Sequence, residues 1–141
     1  MEDNKEQTNI ELMTCTALKS DLCGVILNHT EEEILTKFTP TKQMICDEDN
    51  LIHSGFIFNA ANYAAMCLVN QPFSVTIGSE VEFLAPLEFE QEMHFVGVIK
   101  QSNNKKYEVR VIGNLLDIKI FEATFYIAIF DKQLFKLNFQ E

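Results

Sequence analysis

His53, Ser54 and Gly55 stand immediately before an apolar, alanine-rich run at 56–69. Amide N–H groups in the first turn of a helix have no partner inside it and point outward. A carbonyl seated there is polarised as in an oxyanion hole. Gly55 allows close backbone approach, and Ser54 suits a helix N-cap. The same two residues also serve as a plain cap and turn, and His53 alone fits a loop position as well as it fits a general base. Within the run, Asn59 and Asn62 are the strongly polar side chains. Three residues apart on a helix, they share a face. A buried amide without partners costs about 1–3 kcal/mol, so the pair either bonds the backbone of a neighbouring subunit or faces a polar pocket. Glu80 and Glu82 supply carboxylates on the polar side of an alternating stretch, where a wet strand face is the simpler reading. Lys100, Lys105, Lys106 and Arg110 gather four of the eleven basic residues into a short window. Such a cluster fits a solvated hairpin tip or a local anion site.

The 141-residue length suits one domain with a sizeable core. An apolar content of 47%, with 12 Phe and no Trp, requires a large apolar interior or an apolar ligand site. The net charge of −10 opposes phosphate over the whole surface. It excludes a simple nucleic-acid binder and obliges any anionic ligand to meet a local basic cluster. Cys15, Cys23, Cys46 and Cys67 form no C-x-x-C pair and have no His at ligand spacing, so no metal site is expected. The thiols read as reduced, as in a cytoplasmic protein, with a disulfide between two of them the lesser alternative. The polar, acidic start is unlike a signal peptide, and the longest apolar run is too short to span a membrane.

These residues must be positioned by a few elements. Residues 1–9 read as a mobile tail and 10–141 as a single domain. The spacing of Ile10, Met13, Ala17 and Leu18 predicts a short amphipathic helix over 10–20. Short strands follow at 23–28 and 34–39, then a loop over 40–53. The run 54–69 predicts a helix buried on all sides, ended by Asn70-Gln71-Pro72. Beyond it the period changes to two. Phe73, Val75, Ile77, Val81 and Phe83 predict one dry face of a strand over 73–84, with Ser74, Thr76, Gly78, Glu80 and Glu82 on the wet face. Three more strands are expected at 93–101, 105–112 and 119–130, the last two separated by a turn over 113–117. Residues 131–141 suggest a further pairing or cover. A wholly apolar helix must be surrounded, and a six-stranded antiparallel sheet of long strands can curl around it. The fold class is α+β.

With that order of elements the chain resembles the hotdog-fold superfamily, nearest its acyl-CoA thioesterase branch, over roughly residues 20–131. The segment LIHSGFIFNAANYAAM at 51–66 is similar to the family's His-Gly-Gly followed by an alanine-rich helix. VTIGSEVEFLAPLEFEQEMHFVGVIKQSNNKKYEVRV at 75–111 is similar to its strand ending in Phe-Leu-x-Pro, then two strands across a hairpin. The resemblance implies a homodimer, with higher oligomers open, whose sheets join edge to edge, the strand over 73–84 being a candidate for the seam. It also implies acyl-thioester sites at the subunit interface and coenzyme A thioester as ligand, with no cofactor required.

On this resemblance His53, Ser54, Gly55, Phe56, Asn59, Asn62 and Phe83 are expected to bind the acyl thioester, with Gly55 donating to its carbonyl. Lys100, Lys105, Lys106 and Arg110 are expected to meet the coenzyme A phosphates. Thioesterases of this branch carry Asp or Glu on the central helix, and the offset from His53-Ser54-Gly55 puts that position on Asn62. An amide is a poor base and nucleophile near neutral pH. The acyl-CoA-sensing hotdog domain of the bacterial fatty-acid-synthesis repressor is similar in using Asn in this region, but some 20 residues before the domain are too few for that protein's DNA-binding domain. The hotdog dehydratases need a paired His and carboxylate, for which His29, His53 and His94 show no counterpart. The expectation is therefore a cytoplasmic acyl-CoA-binding protein of regulatory type in fatty acid metabolism, with little hydrolysis. An active thioesterase using Glu80, Glu82 or a water held by Asn62 is one alternative, and an interaction protein with a vestigial pocket is another.

Overall fold

A computed structural model of the chain describes residues 10–131. The expected tail at 1–9 and nearly all of the stretch 131–141 lie outside the described residues. The elements are α1 (Ser20–Cys23), β1 (Val25–His29), β2 (Glu33–Phe38), α2 (Ser54–Val69), β3 (Ser74–Phe83), β4 (Met93–Ser102), β5 (Lys106–Leu115) and β6 (Ile118–Ile129). The strands form one antiparallel sheet in the order β1-β2-β4-β5-β6-β3, so among the described residues β1 and β3 are its edges.

Helix α2 packs against β2, β3, β4, β5 and β6. Ala60, Ala61, Ala64 and Ala65 are wholly buried, and their small side chains favour helix while letting the sheet come close. The helix is buried from Ile57 onward apart from the half-buried Phe58, Asn59 and Asn62, whereas Ser54 and Gly55 in its first turn are exposed. Asn70 ends it in the left-handed region at φ 50°, donating its N–H to Met66 O at 2.8 Å.

The opposing sheet face supplies Phe38, Phe95, Phe121 and Phe125, all fully buried. Phe95 and Phe121 meet edge to face at 5.7 Å. Much of the phenylalanine excess is therefore core. Two glycines permit this packing. A Cβ at Gly113 would lie 2.6 Å from Met93 Cε and 2.8 Å from Phe95 Cε1. At Gly24, φ is 98° and a Cβ would lie 2.5 Å from Lys37 O.

Three expectations are corrected. Residues 10–19 form no helix: Thr14 and Thr16 are weak helix formers, Cys15 adopts φ 55°, and the first helical turn begins only at Ser20. The strand expected to stop at 112 continues to Leu115, and the turn is confined to Leu116 and Asp117. The single dry face of β3 is also split. The register slips between Thr76 and Gly78, leaving Ile77 in a bulge. Directly paired residues share a face. Before the bulge Thr76 pairs with Ile127 and faces α2; after it Val81 and Phe83 pair with Ala123 and Phe121 and do so. Val75, Glu80 and Glu82 lie on the outer face.

Candidate functional site

His53, not Ser54, is the N-cap of α2. Its imidazole Nδ1 accepts the Gly55 N–H at 2.9 Å, which leaves the ring proton on Nε2. The His53 N–H donates to Met44 O at 2.9 Å, and its ring stands edge-on to the half-buried Phe56 at 6.2 Å. The Gly55 amide, expected to be open to a carbonyl, is thus occupied by the imidazole. Ser54 occupies the first helical position and is exposed.

The two asparagines have separate partners. Asn59 Nδ2 donates to Leu22 O at 2.9 Å, tying α2 to α1. Asn62 Oδ1 accepts from the Thr76 hydroxyl at 2.8 Å across the α2–β3 contact. The Thr76 hydroxyl also lies 3.3 Å from Met66 Sδ. With Oδ1 engaged, Asn62 is oriented, and its Nδ2 protons have no partner among the described residues. The Asn62 amide can therefore donate to an acceptor placed beside α2. Phe83 packs edge-on against Phe121 at 5.4 Å but keeps 48% exposure on the sheet edge. Sequence periodicity assigns Thr76 to the wet face, and the structure turns it to α2. The signal that reveals it is Gly78, since a glycine inside a strand often marks a bulge.

Glu82 is not brought to α2. On the outer face it pairs with Glu122, and Glu80 pairs with Thr124. Arg110 forms a short ion pair with Glu122, and Lys119 Nζ reaches Glu122 Oε1 at 2.8 Å. Lys119 first, then Arg110, hold the Glu122 carboxyl below its usual range. A shallow depression on this face is lined by Glu80, Glu82, Arg110, Glu122 and Thr124.

The basic cluster is dispersed rather than gathered at one mouth. Arg110 is committed to Glu122. Lys106 Nζ lies 5.6 Å from the Tyr126 ring centroid on the outer face. Lys100 sits at a bulge between Ile99 and Gln101, and Lys105 lies on the β4–β5 hairpin, whose Asn103 Oδ1 accepts the Lys105 and Lys106 N–H groups at 2.8 and 3.0 Å. The α2 N-terminus lies at the other end of the sheet. There Ile52 N–H donates to Leu87 O at 2.8 Å, and β4 begins soon after at Met93. The ten residues of β4 span about 30 Å before reaching the hairpin. Within one chain, then, these basic residues do not flank the His53 end of α2.

Among the described residues no group of three His, Cys, Asp or Glu is placed to hold a metal ion. No helix among them is long and apolar enough to cross a membrane.

No family model matches the chain. Over 119 residues, 83% of this chain, it is 32% identical to methylthioribose-1-phosphate isomerase of Aquifex aeolicus, but the match spans only about a quarter (26%) of that protein's length. Among solved structures, Cj0977, a sigma28-regulated virulence protein from Campylobacter jejuni, superposes with a TM-score of 0.86 at 35% identity, covering 89% of each chain. An HP0420 homologue from Helicobacter felis gives 0.85 at 37%, covering 91% of this chain and 90% of that one. The Streptococcus mutans protein smu.793, bound to acetyl CoA, gives 0.72 at 14%, covering 85% and 98%, a likeness of fold alone.

Proposed function

We propose, for a chain that belongs to the hotdog-fold family of Cj0977 and the Helicobacter felis HP0420 homologue, a role in binding an acyl-coenzyme A thioester without efficient hydrolysis. The observation that carries this reading is Asn62. It stands in the middle of the central helix, oriented by Thr76, with amide protons that have no partner among the described residues and can donate to an acyl carbonyl. No Asp or Glu occurs anywhere in α2. The carboxylates considered as substitutes, Glu80 and Glu82, lie on the opposite side of the sheet. Acetyl CoA bound to the fold neighbour smu.793 supports the ligand class.

A homodimer through β3 completes the proposal. Phe73, Ile77, Phe83 and Leu84, on or next to this edge strand, are 47–55% exposed. An unpaired apolar edge favours strand-to-strand association. Pairing two antiparallel β3 edges about a two-fold axis would bring the partner's β4–β5 hairpin to the end of the joined sheet that holds this chain's His53. Lysines at that hairpin then have a route to phosphates that they lack within one chain. Four unpaired thiols support a reducing, cytoplasmic setting.

The test combines native mass spectrometry with an acyl-CoA panel. The expected result is a dimer retaining or taking up acyl-CoA, with hydrolysis far below about 1 per second. Turnover above that rate overturns the binding-only reading, and an empty protein that takes up no acyl-CoA overturns the ligand assignment. Asn62→Asp restores a carboxylate to α2 and is expected to raise hydrolysis above the wild-type level.

A further inference from the structure

We infer that a cleft between residues 10–12, α1, β1 and Tyr63 of α2 is a second binding site, for a small neutral molecule with an apolar body and one carbonyl-type acceptor. The cleft has a volume of about 190 Å³. That room suits roughly six to eight non-hydrogen atoms, since a dry cavity of about 150 Å³ takes up a benzene ring. It lies on the β1 side of α2. Asn62 meets Thr76 of β3, at the opposite end of the strand order, so the two sites stand on different flanks of the helix.

The walls are held in place without a ligand. Met13 N–H donates to Asn70 Oδ1 at 2.7 Å, and Asn70 Nδ2 donates to Glu11 O at 3.1 Å, which fixes the wall that carries Ile10 and Leu12. Asn59 Nδ2 donates to Leu22 O at 2.9 Å and fixes α1 on α2. The Gly24 N–H donates to Ser20 O at 2.7 Å, so the corner between α1 and β1 is closed as well. A site already in its bound shape loses little freedom when a ligand enters.

The chemistry of the lining selects the ligand. Ile10, Leu12, Val25 and Ile26 offer apolar contact. The polar side chains are Ser20, at the exposed mouth, and Tyr63. Tyr63 is only 8% exposed, yet its hydroxyl has no nitrogen or oxygen partner among the described residues. Phenylalanine would fill the same space without a polar group to satisfy. The Thr36 hydroxyl is sealed from solvent without a partner, whereas that of Tyr63 is not sealed, and the cleft is the opening that Tyr63 lines. Burial, then the thiols of Cys67 and Cys23, push the Tyr63 titration up, so the hydroxyl stays a neutral donor. Among the described residues no Lys, Arg or His lines the cleft, and the net charge of −10 opposes an anion. A carboxylate or phosphate is thereby disfavoured, and a neutral acceptor fits. Residues 1–9, which precede this wall, carry one apolar side chain, Met1, and do not match it in character.

The test titrates the full chain, labelled with nitrogen-15, with three probes that share a six-membered apolar ring. They are cyclohexanone, methylenecyclohexane, in which CH2 replaces the carbonyl oxygen, and cyclohexanecarboxylate. Saturable amide shifts centred on Leu12, Ser20, Gly24 and Ile26 are expected with cyclohexanone. Methylenecyclohexane is expected to bind about fivefold more weakly, and the carboxylate more weakly again. Tyr63→Phe is expected to weaken cyclohexanone about five- to tenfold and to leave methylenecyclohexane unchanged, which separates the hydroxyl's hydrogen bond from packing. Ser20→Trp, at the exposed mouth, is expected to weaken both neutral probes. The inference is overturned by the lack of any saturable shift in wild type, by shifts centred on Asn62 and Thr76, or by a carboxylate that binds as tightly as the ketone. Cyclohexanone binding undiminished in Tyr63→Phe, or indifferent to Ser20→Trp, overturns it equally.

Discussion

On the helix side of the sheet, the polar contact at the middle of α2 is neutral, a threonine hydroxyl donating to an asparagine amide at 2.8 Å. On the outer side, the same pair of strands, β3 and β6, carries Glu80, Glu82 and Glu122, with Arg110 of β5 and Lys119 beside them. The two faces are one residue apart in sequence but differ in solvent. A carboxylate beside α2 would have to be desolvated, and only a matched partner or a raised pKa would offset that. On the outer face water screens the charges at little cost. The difference teaches why an amide at the centre of the helix is stable, and why the nearby carboxylates do not reach it: they belong to the other solvent.

Four measurements break or sharpen this contrast. The largest effect is expected from Phe95→Ala on the helix side, a loss of about 3–5 kcal/mol by urea denaturation. A loss under about 1 kcal/mol would mean that the helix face is not a continuous core. Next comes Thr76→Val, which leaves Asn62 Oδ1 without its donor. It is expected to cost about 1–1.5 kcal/mol with an unchanged denaturant slope, and to weaken acyl-CoA binding. Arg110→Ala on the outer face is expected to change stability less than Thr76→Val, and less again in about 0.5 M salt. A loss that matched Thr76→Val and ignored salt would make the outer network structural. The smallest effect is the acid dependence of Glu122. Its folded pKa lies below its unfolded one, so its contribution is present above the ordinary carboxylate range and fades as pH falls through the lowered value. Melting curves of Glu122→Gln and wild type are expected to differ at neutral pH and converge on acidification.

The sequence carried the local rules and lost the long-range ones. Helix α2 was legible at both ends, because Ser54 opens an alanine-rich run and Asn70-Gln71-Pro72 closes it. The strands β4 to β6 were legible as apolar runs between turns, and their dry face is wholly buried at Val109, Val111, Phe121 and Phe125. The bulge at Ile77 was not, since an inserted residue leaves an unbroken pattern of types while inverting their direction. That slip hid Thr76 as the partner of Asn62. The pairing of Arg110 with Glu122 was equally hidden. It depends on the register of β5 against β6, so one member of a cluster that looked basic along the chain is neutralised across the strands. The odd polarity of Asn62 in an apolar helix was visible, but not the orientation of its amide.

Asn70 carries a consequence for the order of folding. Its backbone turns the chain out of α2, while its side chain holds Glu11 and Met13 by both of its polar atoms. Glycine would satisfy the turn and lose the hold. During synthesis the segment at 10–19 leaves the ribosome well before Asn70, and its dock is not made until Asn70 has emerged and the helix behind it has closed. The segment is a latch whose catch lies some sixty residues further along the chain.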